Sequence, residues 1–200
     1  MAEAQIPPKP EGADELERQG IEGIANALHT STDPAVRGYA AYLLGKGKNT
    51  VAIQPLIMAL ADGNKSVREQ AMLALVQLGR SAVEPLTAAM QDEKWVTRYR
   101  AAEALGKIAD KKAIEPLVQG LKDNRDHVRY MAAKGLQVLG NSDALAPMVI
   151  LLNDQNRFVR LMAVRALSAI GGKNAHEALA RALETETDAQ VREAITEAIK

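Results

Sequence analysis

The sequence predicts an all-α protein built from about six helical hairpins that stack on one another. The first observation is a Val-Arg dipeptide, replaced once by Thr-Arg, that returns at intervals of 30 to 32 residues. The second is a block such as AIEPLVQGL, which precedes the later dipeptides and carries a proline near its start. The third is a composition rich in alanine and leucine, which favours helix. The repeating arginines are Arg37, Arg68, Arg98, Arg129, Arg160 and Arg192.

Each repeat carries the signals of two helices joined by a short turn. Prolines in the first turn of the first helix are tolerated because early helix N–H groups have no intrahelical partner. The second helix follows a residue that can cap it, namely Asp33, Asn64, Asn156 or Asp188. Three second helices are predicted to end at a glycine, at Gly79, Gly140 and Gly171. A single hairpin cannot bury its apolar face alone, so neighbouring hairpins must stack.

The hairpins are predicted to form one domain at residues 13–200. Its units are residues 13–48, 49–79, 80–110, 111–140, 141–171 and 172–200. Residues 1–12 contain the segment PPKPEG and are expected to form a flexible leader.

The composition excludes several classes of protein. The chain has no cysteine, which excludes disulfides, zinc-thiolate sites and a thiol nucleophile. Its 25 basic residues balance 25 acidic residues, which argues against a protein built mainly to hold nucleic acid. No apolar run is long enough to span a bilayer, and the first residues lack the order of a signal peptide. We therefore expect a cytoplasmic protein.

One segment makes a family resemblance specific. Residues Asp92 to Leu117 match the pattern D-x-x-x-x-VR-x-x-AA-x-ALG-x-I-x-D-x-x-AI-x-PL well. This pattern resembles the HEAT-like repeats named after phycobilisome lyases, and the resemblance covers roughly residues 13–200. It implies a right-handed α-α superhelix with the first helices on the convex side and the second helices on the concave side. It implies no definite chemistry, because most proteins with these repeats are not lyases.

The aromatic residues avoid the predicted core. Counted from each repeating arginine at about 100° per residue, positions −1, +3, +7 and +10 form one apolar stripe. All six rings lie on second helices at other positions: Trp95 (−3), Phe158 (−2), Tyr99 and Tyr130 (+1), Tyr39 (+2) and Tyr42 (+5). Leu161 (+1), Met131 and Met162 (+2) share that side. We predict that these side chains line the concave groove, because exposed apolar patches mark binding surfaces. The alternative is that the rings fill gaps between repeats.

Charged residues share the outward positions. The basic ones are Lys46, Arg100, Lys107, Lys134, Arg157 and Arg165, and the acidic ones are Glu69, Glu103, Glu193 and Glu197. Basic residues outnumber acidic ones in the middle units, which suits an acidic or mixed peptide; interspersed charge for solubility is the alternative. Single-stranded nucleic acid is disfavoured by Glu103 and by the zero net charge. The predicted partner-binding residues are Tyr42, Trp95, Tyr99, Arg100, Tyr130, Met131, Lys134, Phe158, Leu161 and Arg165.

The repeating arginines themselves are interpreted as structural. An aspartate precedes four of them by six residues, at Asp62, Asp92, Asp123 and Asp154. A charge-assisted bond between aspartate and arginine is predicted to tie the turn to the helix and to link adjacent units.

The sequence carries no pattern typical of catalysis or of a cofactor site. Its three histidines lie in different units without metal-binding spacing, and no nucleophile elbow is present. His176-Glu177 is a single pair, whereas deoxyhypusine hydroxylases, which are also HEAT-like, use several such pairs to hold two irons. We therefore expect a non-enzymatic scaffold, without a cofactor, that recognises a partner protein or peptide in the concave groove.

Two alternatives to this scaffold stay open. The family name suggests a bilin lyase-like tetrapyrrole-binding protein, with Tyr99, Arg100 and Tyr130 lining the site. The other alternative is a self-assembling structural subunit.

Overall fold

The computed structural model describes residues 6–140 and 144–200. Within those ranges the chain forms thirteen α-helices and three short 3-10 helices, and no strand. The predicted all-α fold is thus confirmed. The chain divides into two compact units, Met1–Ala104 and Leu105–Lys200.

The first unit contains two complete hairpins and an additional short helix at its beginning. Its helices are α1 (Ala13–Arg18), α2 (Ile21–Thr30), α3 (Pro34–Lys46), α4 (Ile53–Ala59), α5 (Lys65–Leu78), α6 (Val83–Ala89) and most of α7 (Trp95–Ile108). Short 3-10 helices at Thr50–Ala52 and Gly79–Ala82 precede α4 and α6. Helix α2 packs on α3 and α4 on α5, while α3 lies directly against α5. Helix α1 contacts α2 and α3, so it covers the first hairpin.

The second unit contains three complete hairpins. Its helices are α8 (Ile114–Gly120), α9 (Asp126–Leu139), α10 (Leu145–Leu151), α11 (Arg157–Ile170), α12 (Gly172–Thr185) and α13 (Ala189–Ala198). A 3-10 helix at Lys111–Ala113 leads into α8. The second helices of the hairpins lie side by side, because α11 contacts both α9 and α13.

The predicted helix ends are confirmed where the signals are strongest. The four predicted capping side chains each accept a hydrogen bond from a backbone N–H in the first turn of the helix that follows. The three predicted glycines follow their helices with φ values of 61°, 58° and 68°. In the third hairpin Ala109 takes this place with φ 55°, a conformation that costs a residue with a Cβ about 1–2 kcal/mol.

The predicted apolar stripe forms the core. In α5 the residues at −1, +3 and +7 are Val67, Ala71 and Leu75, and all three are fully buried. The small residues allow close helix packing: a Cβ added to Gly106 would lie 2.6 Å from the Cα of Gly135. The backbones of the last turn of α7 and of α9 are therefore almost in contact.

The prediction of outward-facing side chains is wrong at position +2. Tyr39, Met131 and Met162 are only 6%, 5% and 3% exposed. Helix α5 shows one cause: its residue at position +2, Gln70, is also buried, and a Cβ added to Gly38 of α3 would lie 4.0 Å from the Gln70 side chain. Position +2 of α5 therefore faces the preceding second helix, whereas α3 contacts α1. The hydroxyl of Tyr39 also donates a hydrogen bond to Glu17 of α1, and this bond, together with burial, raises the pKa of Tyr39.

A ladder of arginine–carboxylate pairs links successive hairpins within each unit. Two guanidinium nitrogens of Arg129 donate to the two carboxylate oxygens of Asp154 at 2.6 and 2.8 Å. Arg160 binds Glu186 in the same way, at 2.7 and 2.9 Å. In the first unit Arg37 pairs with the carboxylate of Asp62, at 2.8 and 3.0 Å. Such bidentate pairs are the strong form of the charge-assisted hydrogen bond.

The partner within each pair differs from the prediction. The residue six positions before each arginine is bound through its backbone carbonyl oxygen, as Arg68 Nη1 donates to Asp62 at 2.7 Å and Arg129 Nη1 to Asp123 at 2.9 Å. The carboxylates of Asp62 and Asp154 instead bind the arginine of the preceding hairpin, Arg37 and Arg129 respectively. The predicted tie between turn and helix and the predicted link between adjacent hairpins are thus both confirmed, but the first uses the backbone carbonyl oxygen of the aspartate and the second its carboxylate.

One step of the ladder is open in the first unit. The Nε of Arg68 is buried and has no hydrogen-bond partner among the described residues. The equivalent carboxylate, that of Asp92, instead accepts a hydrogen bond from the backbone N–H of Lys94 at 2.8 Å. This open step provides a natural control for the closed ones.

Candidate protein-binding surfaces

The first unit presents an aromatic pair at the start of α7. Trp95 is 37% exposed and Tyr99 is half-buried. Their ring centroids lie 6.4 Å apart with an interplanar angle of 72°, an edge-to-face arrangement that aromatic pairs favour. Both rings therefore lie at the surface and are partly exposed to solvent.

Arg100 is not the free outward cation that the sequence predicted. Its Nη1 donates to Glu103 at 2.7 Å, and the two side chains are only 13% and 18% exposed. Its guanidinium carbon lies 5.4 Å from the centroid of Tyr99. Arg100, at position +2, is therefore largely buried, its charge is paired with Glu103, and it lies against the Tyr99 ring.

Tyr42 lies elsewhere in the first unit. It is half-buried, and its ring centroid is 5.8 Å from that of Tyr39. The N-terminal segment lies close to Tyr39, because Glu17, which accepts the Tyr39 hydroxyl hydrogen bond, also pairs with Lys9 at 3.2 Å. Hydrogen bonds to Asp14 and Glu17 raise the pKa of Lys9 to about 12.

The second unit brings four of the predicted residues onto one surface, which we call the α9–α11 face. It consists of Tyr130, Lys134, Leu161 and Arg165. Tyr130 and Leu161 take position +1 of the two adjacent helices and are half-buried, while Lys134 and Arg165 take position +5 and are exposed. Met131, predicted to belong to this surface, lies beneath it.

The charges of the α9–α11 face are unneutralised. Neither Lys134 nor Arg165 forms an ion pair or a side-chain hydrogen bond with any described residue. The neighbouring helix α13 carries Glu193 and Glu197 at the equivalent positions, and both are exposed and equally unpaired within the described ranges. The surface is therefore basic over two helices and acidic over the third.

Phe158 lies at the beginning of α11 and is 52% exposed. The guanidinium carbon of Arg157 lies 4.7 Å from its ring centroid, a cation–π contact. Arg157 also contacts Asp188 of the next hairpin at 3.5 Å. Arg157 thus connects the exposed Phe158 ring to the hairpin that follows.

Sequence reasoning missed several exposed apolar side chains, of which Val138 lies on a second helix. Val138 is 60% exposed and takes position +9 of α9, in line with Tyr130 and Lys134. The sequence signal for Val138 is an apolar residue at position +9, where α3 and α7 carry Lys46 and Lys107. Met58 and Ile150, 67% and 73% exposed, lie on first helices.

The histidines do not converge with other ligands. Among the described residues no three His, Asp or Glu side chains come together as a metal site would require. His176 and Glu177 are exposed on α12, where Glu177 contacts Lys173 at 3.7 Å and Arg181 at 4.0 Å. None of the helices in the described ranges has the length and apolar character needed to cross a membrane.

The repeat, the two-helix units and their packing define an α-solenoid class of protein. A model of HEAT repeats matches residues 21–83, 53–130 and 114–200, and the chain belongs to this family. No curated protein matches the sequence.

Solved structures show the same architecture. One chain in the structure of the complex of CpcE and CpcF of phycocyanin lyase from Nostoc sp. PCC7120 is similar over 76% of this chain and 100% of its own length, with 26% identity and a TM-score of 0.70. A designed armadillo repeat protein in complex with the peptide (KR)4 matches 91% of this chain and 100% of its own, at 21% identity and a TM-score of 0.57. Human deoxyhypusine hydroxylase in complex with glycerol matches 90% of this chain and 72% of its own, at 24% identity and a TM-score of 0.52. The last two show the fold alone.

Proposed function

We propose that this chain is a non-enzymatic, cytoplasmic scaffold that recognises a segment of a partner protein on its second helices. The observation that carries the proposal is the α9–α11 face, where two unpaired cations lie beside half-buried Tyr130 and Leu161. Tyrosine and arginine are enriched among the residues that dominate binding energy at interfaces. Packed helices hold these side chains in place, which lowers the entropy cost of binding.

The aromatic residues outside this face are proposed as additional contacts. Trp95 and Tyr99 form one such contact in the first unit, and Tyr42 another. In the second unit Phe158, which is 52% exposed, is a further contact. Each of these aromatic rings is apolar over most of its surface, as is typical of a residue that anchors a side chain of a partner.

The charge of the surface favours an acidic partner. The designed armadillo relative was solved with the basic peptide (KR)4, so a solenoid of this kind has been seen with a peptide of alternating cations. In this chain the exposed residues at position +5 of α9 and α11 are themselves cations. A segment with carboxylates would neutralise them, and a basic segment would be repelled.

A tetrapyrrole-binding role is the second candidate, since one similar structure is a phycocyanin lyase complex. Arg100, which such a role would use, is already bound to Glu103. The role predicts a shifted visible absorption band when an open-chain tetrapyrrole is added to the chain. An unchanged spectrum would remove this candidate.

Selection from a random peptide library displayed on phage tests the binding proposal. The full chain should enrich a family of peptides, and the double variant Tyr130→Ala/Leu161→Ala should lose that enrichment. The control Met58→Ala/Ile150→Ala removes exposed apolar side chains from first helices and should enrich the same peptides. Circular dichroism verifies that both variants remain helical. Equal enrichment by all three proteins would contradict the proposal.

A further inference from the structure

We propose that the α9–α11 face binds a peptide in the polyproline II conformation with two acidic residues three positions apart and a basic residue three positions further on. This inference rests on the proposed function and specifies its partner. It follows from the order of the charges on three adjacent helices and from the spacing of those helices.

The charges follow a fixed order across the second unit. Position +5 is Lys134 on α9, Arg165 on α11 and Glu197 on α13. All three side chains are exposed and without an ion pair among the described residues. Since α11 contacts both α9 and α13, the order across the surface is positive, positive, negative. A complementary segment that crosses the helices carries negative, negative and positive side chains in turn.

The spacing of the helices selects the conformation of that segment. Packed helices lie about 8–10 Å apart. A polyproline II segment rises about 3.1 Å per residue with three residues per turn, so its side chains at i and i+3 share a side about 9 Å apart. In a β-strand, side chains on one side lie at even spacings, about 6.6 and 13 Å apart, and miss the helix spacing. The complementary sequence is therefore acid-x-x-acid-x-x-base, in either chain direction.

The apolar residues of the face accommodate the positions between the charges. Tyr130 and Leu161 lie one helical turn before the two cations, and Val138 lies one turn after Lys134. A polyproline II segment has no internal hydrogen bonds and turns its intervening side chains to either flank of the charged row. Proline or another apolar residue at these positions would contact Tyr130 and Leu161 on one flank and Val138 on the other.

Fluorescence anisotropy with the full chain and labelled ten-residue peptides tests the spacing. The peptide with acidic residues at i and i+3 and lysine at i+6 should bind about tenfold tighter than an isomer of the same composition with acidic residues at i and i+2. A peptide stabilised as a helix, with acidic residues at i and i+7, controls for a helical occupant. Equal affinities for the isomers, or preference for the helical peptide, would overturn the inference.

Charge reversal tests the assignment to these side chains. Lys134→Glu/Arg165→Glu should lose about tenfold affinity for the acidic peptide and gain affinity for a peptide with lysine at all three positions. Lys134→Arg should bind as the wild type does. These side chains are exposed, so the variants should fold unchanged. If library-selected peptides need Tyr130 and Leu161 but show no acidic spacing, the proposed function stands and this inference fails.

Discussion

The arginine–carboxylate ladder predicts that the substitution Asp154→Asn, in the second unit, lowers the stability of the protein. The substitution removes the charge of the side chain. It leaves an oxygen that can accept the hydrogen bond from the Asn156 N–H, which is 2.8 Å long in the wild-type protein. Arg129 keeps its bond to the Asp123 carbonyl oxygen and loses its carboxylate. The side chains of Arg129 and Asp154 are only 9% and 7% exposed, so the arginine is left as a buried cation without its bidentate carboxylate partner.

The expected loss of stability follows from that burial. Removing one partner of a buried ion pair costs about 3–5 kcal/mol. We expect about 3 kcal/mol, because Arg129 retains one hydrogen bond to the backbone. The matched control is Asp92→Asn, at the open step of the ladder, where the exposed carboxylate accepts a hydrogen bond from the backbone N–H of Lys94 and forms no ion pair within the described ranges. This control should cost less than about 0.5 kcal/mol.

Urea unfolding followed by circular dichroism at 222 nm compares the two variants at pH 7. Native-state hydrogen exchange locates the effect: a loss of about 3 kcal/mol accelerates exchange in α9 and α11 by about a hundredfold, because their opening is limited by this link. Equal stabilities for Asp154→Asn and Asp92→Asn would refute the reasoning, since it would mean that the closed pair adds nothing.

Three further predictions concern the backbone and the pH. Ala109→Gly should raise the unfolding free energy by about 0.5–1 kcal/mol, measured in urea, because glycine relieves the positive φ; an unchanged midpoint would contradict this. Gly106→Ala should lower the unfolding free energy by about 2 kcal/mol, because the new Cβ would meet the backbone of Gly135. Gly38→Ala is the control: its Cβ would have its nearest neighbour at 4.0 Å, so the variant should be more stable by about 0.5 kcal/mol. Similar shifts of the melting temperature in the two variants would argue against close packing at Gly106. The hydrogen bond from Arg160 holds the pKa of Glu186 below the ordinary 4.5. The stability that Glu186→Gln removes should therefore be constant above about pH 4.5 and should shrink as the pH falls below that value. A difference that grows on acidification would exclude this linkage.

The core and the helix ends could be predicted because they depend on local chemistry. The period of the sequence identifies Val67, Ala71 and Leu75 as one buried stripe, and Asp33 marks a helix start through its own side chain. Such features need no knowledge of the neighbouring hairpin.

The errors concern the contacts between hairpins. Met131 and Arg100 take position +2, which the pattern of a single helix assigns to the open side, yet both side chains are largely buried in the structure. The same limitation explains the arginine ladder. Asp154 is six residues from Arg160 in sequence, but its carboxylate binds Arg129 of the preceding hairpin, 25 residues away. The stacking geometry, which determines these partners, is a tertiary property.

Methyl NMR of the full chain with a library-selected peptide tests the binding surface most directly. Binding on the second helices should shift the methyl resonances of Leu161 and Val138 and leave those of Ile150 on α10 unchanged. Shifts at Ile150 with none at Leu161 and Val138 would place the partner on the first helices and contradict the account.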